Sequence, residues 1–323
     1  MLMKGNTYKS DYVPALDGIR GLAILLVIGC HFFFNNGIFK LGWIGVDLFF
    51  VLSGYLIATK FIRQPVSIGI VKVFYRNRIL RILPLYFAFI LFFIAVWQIL
   101  PAGRKTLLYI PTVPYFWLNH FLLLQNWIYV ASPTSGQLYN PLMHLWSVGV
   151  EEQFYVFFPL MIIIINKWKN KIAFLICGIL LIAAIRTIDF SMYGVMNKSL
   201  SVENNFRYLC NTFYRLDTFL AGILLAFLLR DFKGFKYLDR IFQVLFFAGL
   251  GGYLFIVLYN NNVLSDNPLI ITAGFTLIAV MFMSLLYFVA VQKYRVLNII
   301  FTNRFLVFSG KISYELLTIL NNF

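Results

Sequence analysis

The sequence predicts an all-α fold, a polytopic transmembrane helical bundle, and three observations predict it. Hydrophobic residues make up 61% of the 323 positions and charged residues only 12%. The mean hydropathy is +0.82, well above that of soluble globular domains. Apolar runs recur from one end to the other, and at about 18 or more residues each can cross a ~30 Å hydrocarbon core as a helix.

Taken in order, the runs bounded by charges and turn residues fall near 14–34, 42–62, 82–100, 141–165, 172–188, 212–229, 241–259, 268–291 and 305–320, nine spans in all. The first follows a polar dozen, MLMKGNTYKSDY, with no cleavage-site pattern, and so reads as a retained signal anchor. The stretch 107–130 is also apolar, but Pro111, Pro114, Asn119, His120, Gln125 and Asn126 interrupt it. If it does not cross, the loops 63–81, 166–171, 230–240 and 292–304 share a side with the N-terminus and hold most of the Lys and Arg. The positive-inside rule then places the N-terminus in the cytoplasm of a cell membrane. A crossing would invert every later basic loop, so 107–130 is expected to be interfacial or re-entrant. The net charge of +15 is thereby a topology signal rather than a nucleic-acid surface, and no nucleic-acid partner is expected. Cys30, Cys177 and Cys210 lack metal-ligand spacing, and no metal site is expected. There is no internal repeat, and 1–323 reads as a single membrane domain.

Charges inside spans cost about 2.5–3.5 kcal/mol each at the bilayer centre and mark functional sites by default. The first span, ALDGIRGLAILLVIGCHFFF, carries Arg20 and His31 eleven residues apart, three turns plus about 20°, with Asp17 one turn before Arg20 on nearly the same face. His31 lies roughly 16 Å further along the axis than Arg20, a spacing that suits a long ligand entering from the cytoplasm. The alternative is an interfacial Asp17–Arg20 pair with His31 bonded to a neighbouring helix. In the second span, GWIGVDLFFVLSGYLI, Asp47 needs a partner, and His31 is at a suitable depth. Ser53 and Gly54 read as small residues that let helices approach.

In FYRNRILRILPLYF, Arg78 and Arg81 are three apart at a span's cytoplasmic mouth, spaced as a phosphate fork or as snorkelling anchors. HLWSVGVEEQFYVFFPL sets Glu151 and Glu152 side by side in an apolar span, about 100° apart on a helix, so at least one faces the interior. His120 and His144 fall near interfaces and are expected to be wet. In YRLDTFLAGILLA, Arg215 and Asp217 are two apart and do not face each other, so each is expected to pair elsewhere.

These strings in this order, together with FSGKISY near the end, resemble the acyltransferase-3 family, membrane-bound acyltransferases of cell-surface glycans and related acceptors. The resemblance implies transfer of an acyl group, acetyl foremost, from cytoplasmic acyl-coenzyme A to a hydroxyl of a glycan or lipid-linked sugar. It implies that His31 is the catalytic histidine, that Arg20 is its partner on the first span, and that Arg78 and Arg81 belong to the donor site. Histidine titrates near neutrality and suits general-base work. Asp47, Glu151 or Glu152 would orient it. The family continues into one more helix, a tenth, where this chain reads ELLTILNNF, so the resemblance implies a chain truncated at its C-terminus. Two other readings use the same intramembrane charges: a secondary transporter or flippase, with substrate flux and no donor consumption, and an inactive acyltransferase with a binding or scaffold role.

Overall fold

The computed structural model describes residues 13–33, 37–63, 66–100, 115–131, 142–196, 205–232, 234–260 and 267–313. Among them there are helices and no strands. In order these are α1 (Pro14–Phe32), α2 (Ile44–Ile62), α3 (Ile68–Ile99), the short α4 (Phe116–Phe121) and α5 (Gln125–Ala131), then α6 (Trp146–Lys167) and α7 (Lys171–Met196). After them come α8 (Asn205–Cys210), α9 (Leu216–Asp231), α10 (Leu238–Asn260), α11 (Phe275–Ala290), α12 (Arg295–Phe301) and α13 (Arg304–Lys311). A π-helical turn, Ile270–Gly274, leads into α11.

Among the described residues seven helical stretches are long and apolar enough to cross a membrane: Pro14–Phe32, Phe39–Ile62, Ile68–Ile99, Met143–Lys167, Lys171–Met192, Leu238–Asn260 and Ile270–Ala290. The run expected at 212–229 is α9, a 16-residue helix led by the 3₁₀ turn Phe213–Arg215. The run expected at 305–320 begins as α13, and its part beyond residue 313 lies outside the described residues.

The third helix corrects an expected boundary. It starts at Ile68 rather than at 82, so most of the basic stretch 63–81 is helical. Ser67 caps its start, the side chain accepting the Ile70 N–H at 3.4 Å. Lys and Arg are good helix formers, and charge marks the edge of the hydrocarbon, not the end of a helix. Lys72, Arg76, Arg78 and Arg81 therefore have fixed directions on one rod.

The interior is built on α2. Of its span, 72% is buried, against 17% for α7 and 22% for α10, which turn residues such as Leu180, Leu181, Phe247 and Leu258 outward as lipid-facing helices do. The neighbour α2 touches most is α9. A Cβ at Gly54 would overlap the Phe219 carbonyl, and one at Gly222 would overlap that of Val51, so the two backbones meet where only glycine fits. Phe50, Phe219 and Phe154 stack beside this crossing, with ring centroids 4.6 and 4.0 Å apart.

The segment 115–131 is tied down by the polar residues that interrupt its sequence. Gln125 donates to the Leu145 carbonyl (2.7 Å), and Asn126 to the Cys210 carbonyl and the Thr212 hydroxyl (3.0 Å each). Gln153 of α6 donates to Asn126 Oδ1 (2.8 Å) and to the carbonyl of Leu123 (2.9 Å), while its Oε1 accepts from Trp127 and Thr212. Leu123 turns the chain between α4 and α5 at φ 59, a left-handed conformation that costs a non-glycine residue about 1 kcal/mol. The Gln153 bond to its carbonyl offsets that cost.

Candidate active site

On α1, Arg20 donates to Asp17 Oδ1 at 2.8 Å, the i, i+3 pair foreseen as one of two alternatives. Arg20 also lies within electrostatic reach of Arg81, Tyr155 and Glu151, so it belongs to a larger cluster between α1, α3 and α6.

Helices α2 and α3 form a hairpin held by the edge contact of Phe61 on Phe74, 5.3 Å between centroids. Within it Leu56, Ile57 and Lys60 of α2 face Phe74, Asn77, Arg78 and Arg81 of α3 across a cavity of ≈ 160 Å³. Among the described residues none of Lys60, Arg78 and Arg81 has an ion-pair partner. Three cations without an ion-pair contact among the described residues attract an anion to the cavity, and two guanidinium forks with an ammonium suit phosphate oxygens. The aliphatic wall suits an apolar chain attached to it.

Above the cavity stands a hydrogen-bonded chain. Arg78 donates to the Tyr155 hydroxyl at 3.3 Å and stacks on its ring at 4.4 Å. The Tyr155 hydroxyl donates to Glu151 Oε1, which the Ser53 hydroxyl also donates to. Glu152 is buried, with its Oε1 lacking a partner among the described residues.

His31 is exposed at the far end of α1. Its Nδ1 is 2.8 Å from the Val27 carbonyl oxygen. A carbonyl can only accept, so Nδ1 is the donor, and in the neutral ring Nε2 then holds the lone pair. That is the state a general base needs.

The expected orienting carboxylates are not beside it. Asp47 pairs with Arg215 of the 3₁₀ turn before α9, both side chains fully buried, because α2 turns this face towards α9 and not towards the end of α1. Glu151 belongs to Ser53 and Tyr155. With Arg20 it lies eleven residues of α1, roughly 16 Å of rise, short of His31. Asp217 pairs with Arg186 of α7 at 3.0 Å and accepts from Thr276 at 2.8 Å, so Arg215 and Asp217 do each pair elsewhere. The two histidines expected to be wet are buried. His144 packs edge-on against Phe89, and His120 bonds through Nδ1 to the Phe116 carbonyl at 2.9 Å, burial pushing its pKa down to about 4. Among the described residues no group of three or more His, Cys, Asp or Glu side chains could hold a metal ion.

Sequence reasoning missed Lys60, Asn77 and Tyr155. Lys60 was legible as a basic residue one turn from the hairpin, and Tyr155 lies four after Glu151, on the same helix face.

Comparison with known proteins decides the family. The family model described as an acyltransferase domain, acyltransferase 3, matches residues 13–319. The chain belongs to the acyltransferase-3 family. A Staphylococcus aureus (strain COL) protein named "Putative O-acetyltransferase" is 32% identical over 322 residues, covering 95% of this chain and 50% of that protein. The peptidoglycan O-acetyltransferase OatA of Listeria monocytogenes is 35% identical over 176 residues, 52% of this chain and 27% of OatA. This acyltransferase-3 chain thus spans about half the length of the S. aureus relatives it matches. No solved structure matches it.

Proposed function

We propose that this chain is a membrane-bound O-acyltransferase, N-terminus in the cytoplasm of the cell membrane, that moves an acyl group from cytoplasmic acyl-coenzyme A to a hydroxyl of a surface or exported glycan or lipid-linked sugar. The observation that carries this is the cavity lined by three cations, Lys60, Arg78 and Arg81, without an ion-pair contact among the described residues, near Arg20, with a histidine further along the same helix as Arg20. The names of the relatives support acetyl as the acyl group and peptidoglycan as one class of acceptor.

In this mechanism Arg78, Arg81 and Lys60 hold the donor's phosphates, and its arm extends along α1 towards His31, a reach set by the roughly 16 Å between Arg20 and His31. His31 Nε2 takes the proton of the acceptor hydroxyl as its oxygen bonds to the thioester carbonyl carbon. The C–S bond then breaks, and the imidazolium returns the proton to the leaving thiolate. The acceptor ends as the ester and the donor as the free thiol.

The test incubates membranes carrying the chain with labelled acetyl-coenzyme A and counts label in surface glycans. His31→Ala should lower transfer roughly 10²–10⁴-fold, the usual worth of a general base, with membrane insertion intact. A variant of normal activity sinks the mechanism. Substrate flux with no donor consumed would make the protein a transporter.

A further inference from the structure

The clearest side-chain assembly that the mechanism leaves idle is the trio Ser53, Glu151 and Tyr155. Glu151 was one of three carboxylates expected to orient the histidine, yet it lies within electrostatic reach of Arg20 on the donor side. Its two hydroxyl partners approach from different helices, Ser53 from α2 and Tyr155 one turn along α6. The Ser53 hydroxyl is also 3.2 Å from that of Tyr155, so the three polar groups close on one another. Beyond them is Arg78, which has no carboxylate in ion-pair contact among the described residues. Its guanidinium lies over the Tyr155 ring at 4.4 Å, near the Phe74 ring at 5.8 Å, and donates to the Tyr155 hydroxyl. The helices are fixed in this register by Tyr75, whose hydroxyl donates to the Val156 carbonyl at 2.7 Å.

We infer that Tyr155, anchored by Glu151 and Ser53, is the positioning residue that holds the Arg78 fork open to the anion of the donor; this rests on reading the cavity as the donor site. Three physical points carry it. A direct Arg78–Glu151 ion pair would neutralise the fork, whereas an intervening hydroxyl fixes the guanidinium and leaves its charge available to phosphate. The ring face attracts the cation and sets its plane, which a bidentate ligand requires. The hydroxyl chain is directional, with Arg78 donating to Tyr155 and Tyr155 to the carboxylate, and each bond polarises the next. The carboxylate is thereby assigned to donor binding and not to the histidine.

The experiment uses the full chain in nanodiscs, with coenzyme A binding and acyl-transfer kinetics measured for Tyr155→Phe, Tyr155→Leu, Arg78→Ala and the Arg78→Ala/Tyr155→Leu double variant. Losing the stacked ring should weaken coenzyme A binding roughly tenfold, and losing only the hydroxyl a few-fold. The donor KM should rise in parallel, while kcat at saturating donor stays within about twofold. In the Arg78→Ala background, Tyr155→Leu should add nothing, because it acts through Arg78. If Tyr155→Leu does not fold, Tyr155→Phe, which keeps the ring, carries the test through the same split between KM and kcat. A fall in kcat with unchanged KM overturns the inference and returns the trio to catalysis. Additive effects of Arg78 and Tyr155 also overturn it, while a weakened Arg78→Ala leaves the donor reading standing. Coenzyme A affinity unchanged in Arg78→Ala removes the donor reading and this inference with it.

Discussion

Two charged regions in one bundle obey opposite rules. In the first, Asp47 with Arg215 and Asp217 with Arg186 are fully buried, tie α2, α7, α9 and the start of α11 together, and balance two cations with two anions. Phe275 lies against both guanidinium groups, 4.1 Å from Arg215 and 5.2 Å from Arg186. In the second, Lys60, Arg78 and Arg81 surround a cavity with no anion paired to them among the described residues. The buried charges must be compensated by the protein itself, whereas Lys60 and Arg81 are exposed and Arg78 is half-buried, so theirs stay open to an anion from outside. The difference teaches which charges hold the fold and which wait for a ligand.

The largest expected effect lies in the balanced region. Arg215→Leu strands the Asp47 carboxylate and should cost about 3–5 kcal/mol, read as loss of monodisperse protein and a lowered melting temperature in detergent. Adding Asp47→Leu should recover most of it, since an apolar pair replaces a buried ion pair at little cost. A single variant that melts like its parent breaks the comparison. In the cavity the prediction reverses. Arg81→Ala should leave the melting temperature unchanged and weaken coenzyme A binding roughly ten- to hundredfold, the worth of about 1.5–3 kcal/mol in charged hydrogen bonds.

Smaller effects sharpen the boundary between the two. Gln153→Leu removes part of the bonding that holds the 115–131 segment, the contacts to Leu123, Asn126 and Trp127, and should cost about 1–3 kcal/mol, seen as faster amide exchange confined to that segment. The smallest concerns His120, buried in the same segment with its pKa held down to about 4 by that burial. The released segment takes up a proton near pH 6.5 and the packed one does not, so the unfolded form binds more protons and packing weakens as pH falls. Between pH 7 and pH 6 the loss should stay below about 1 kcal/mol. His120→Phe should flatten that dependence, and a profile unchanged by the substitution removes the assignment.

Much of the fold was legible because the bilayer imposes a length and apolarity that composition records directly. The polar residues that interrupt 115–130 were legible in the sequence, and Gln125 and Asn126 among them prove to be anchors, while 107–114 lies outside the described residues. Partnerships were not legible. Asp47 and Arg215 are 168 residues apart, and no local period connects them. Ser53 read as a packing residue like Gly54, and only the neighbouring helix distinguishes them, α9 at Gly54 and α6 at Ser53. The basic run before residue 82 concealed a helix because charge and helicity are independent signals.

The hydrogen bond from His31 Nδ1 to Val27 is made within a single helix. A base oriented by its own backbone asks nothing of its neighbours, so the residues around it can drift without disturbing which nitrogen carries the proton. On the proposed function, one donor engine can then be fitted to many acceptors. Evolution would explore sugars by altering the rim around His31 while the cation cavity, on the opposite half of the bundle, stays as it is.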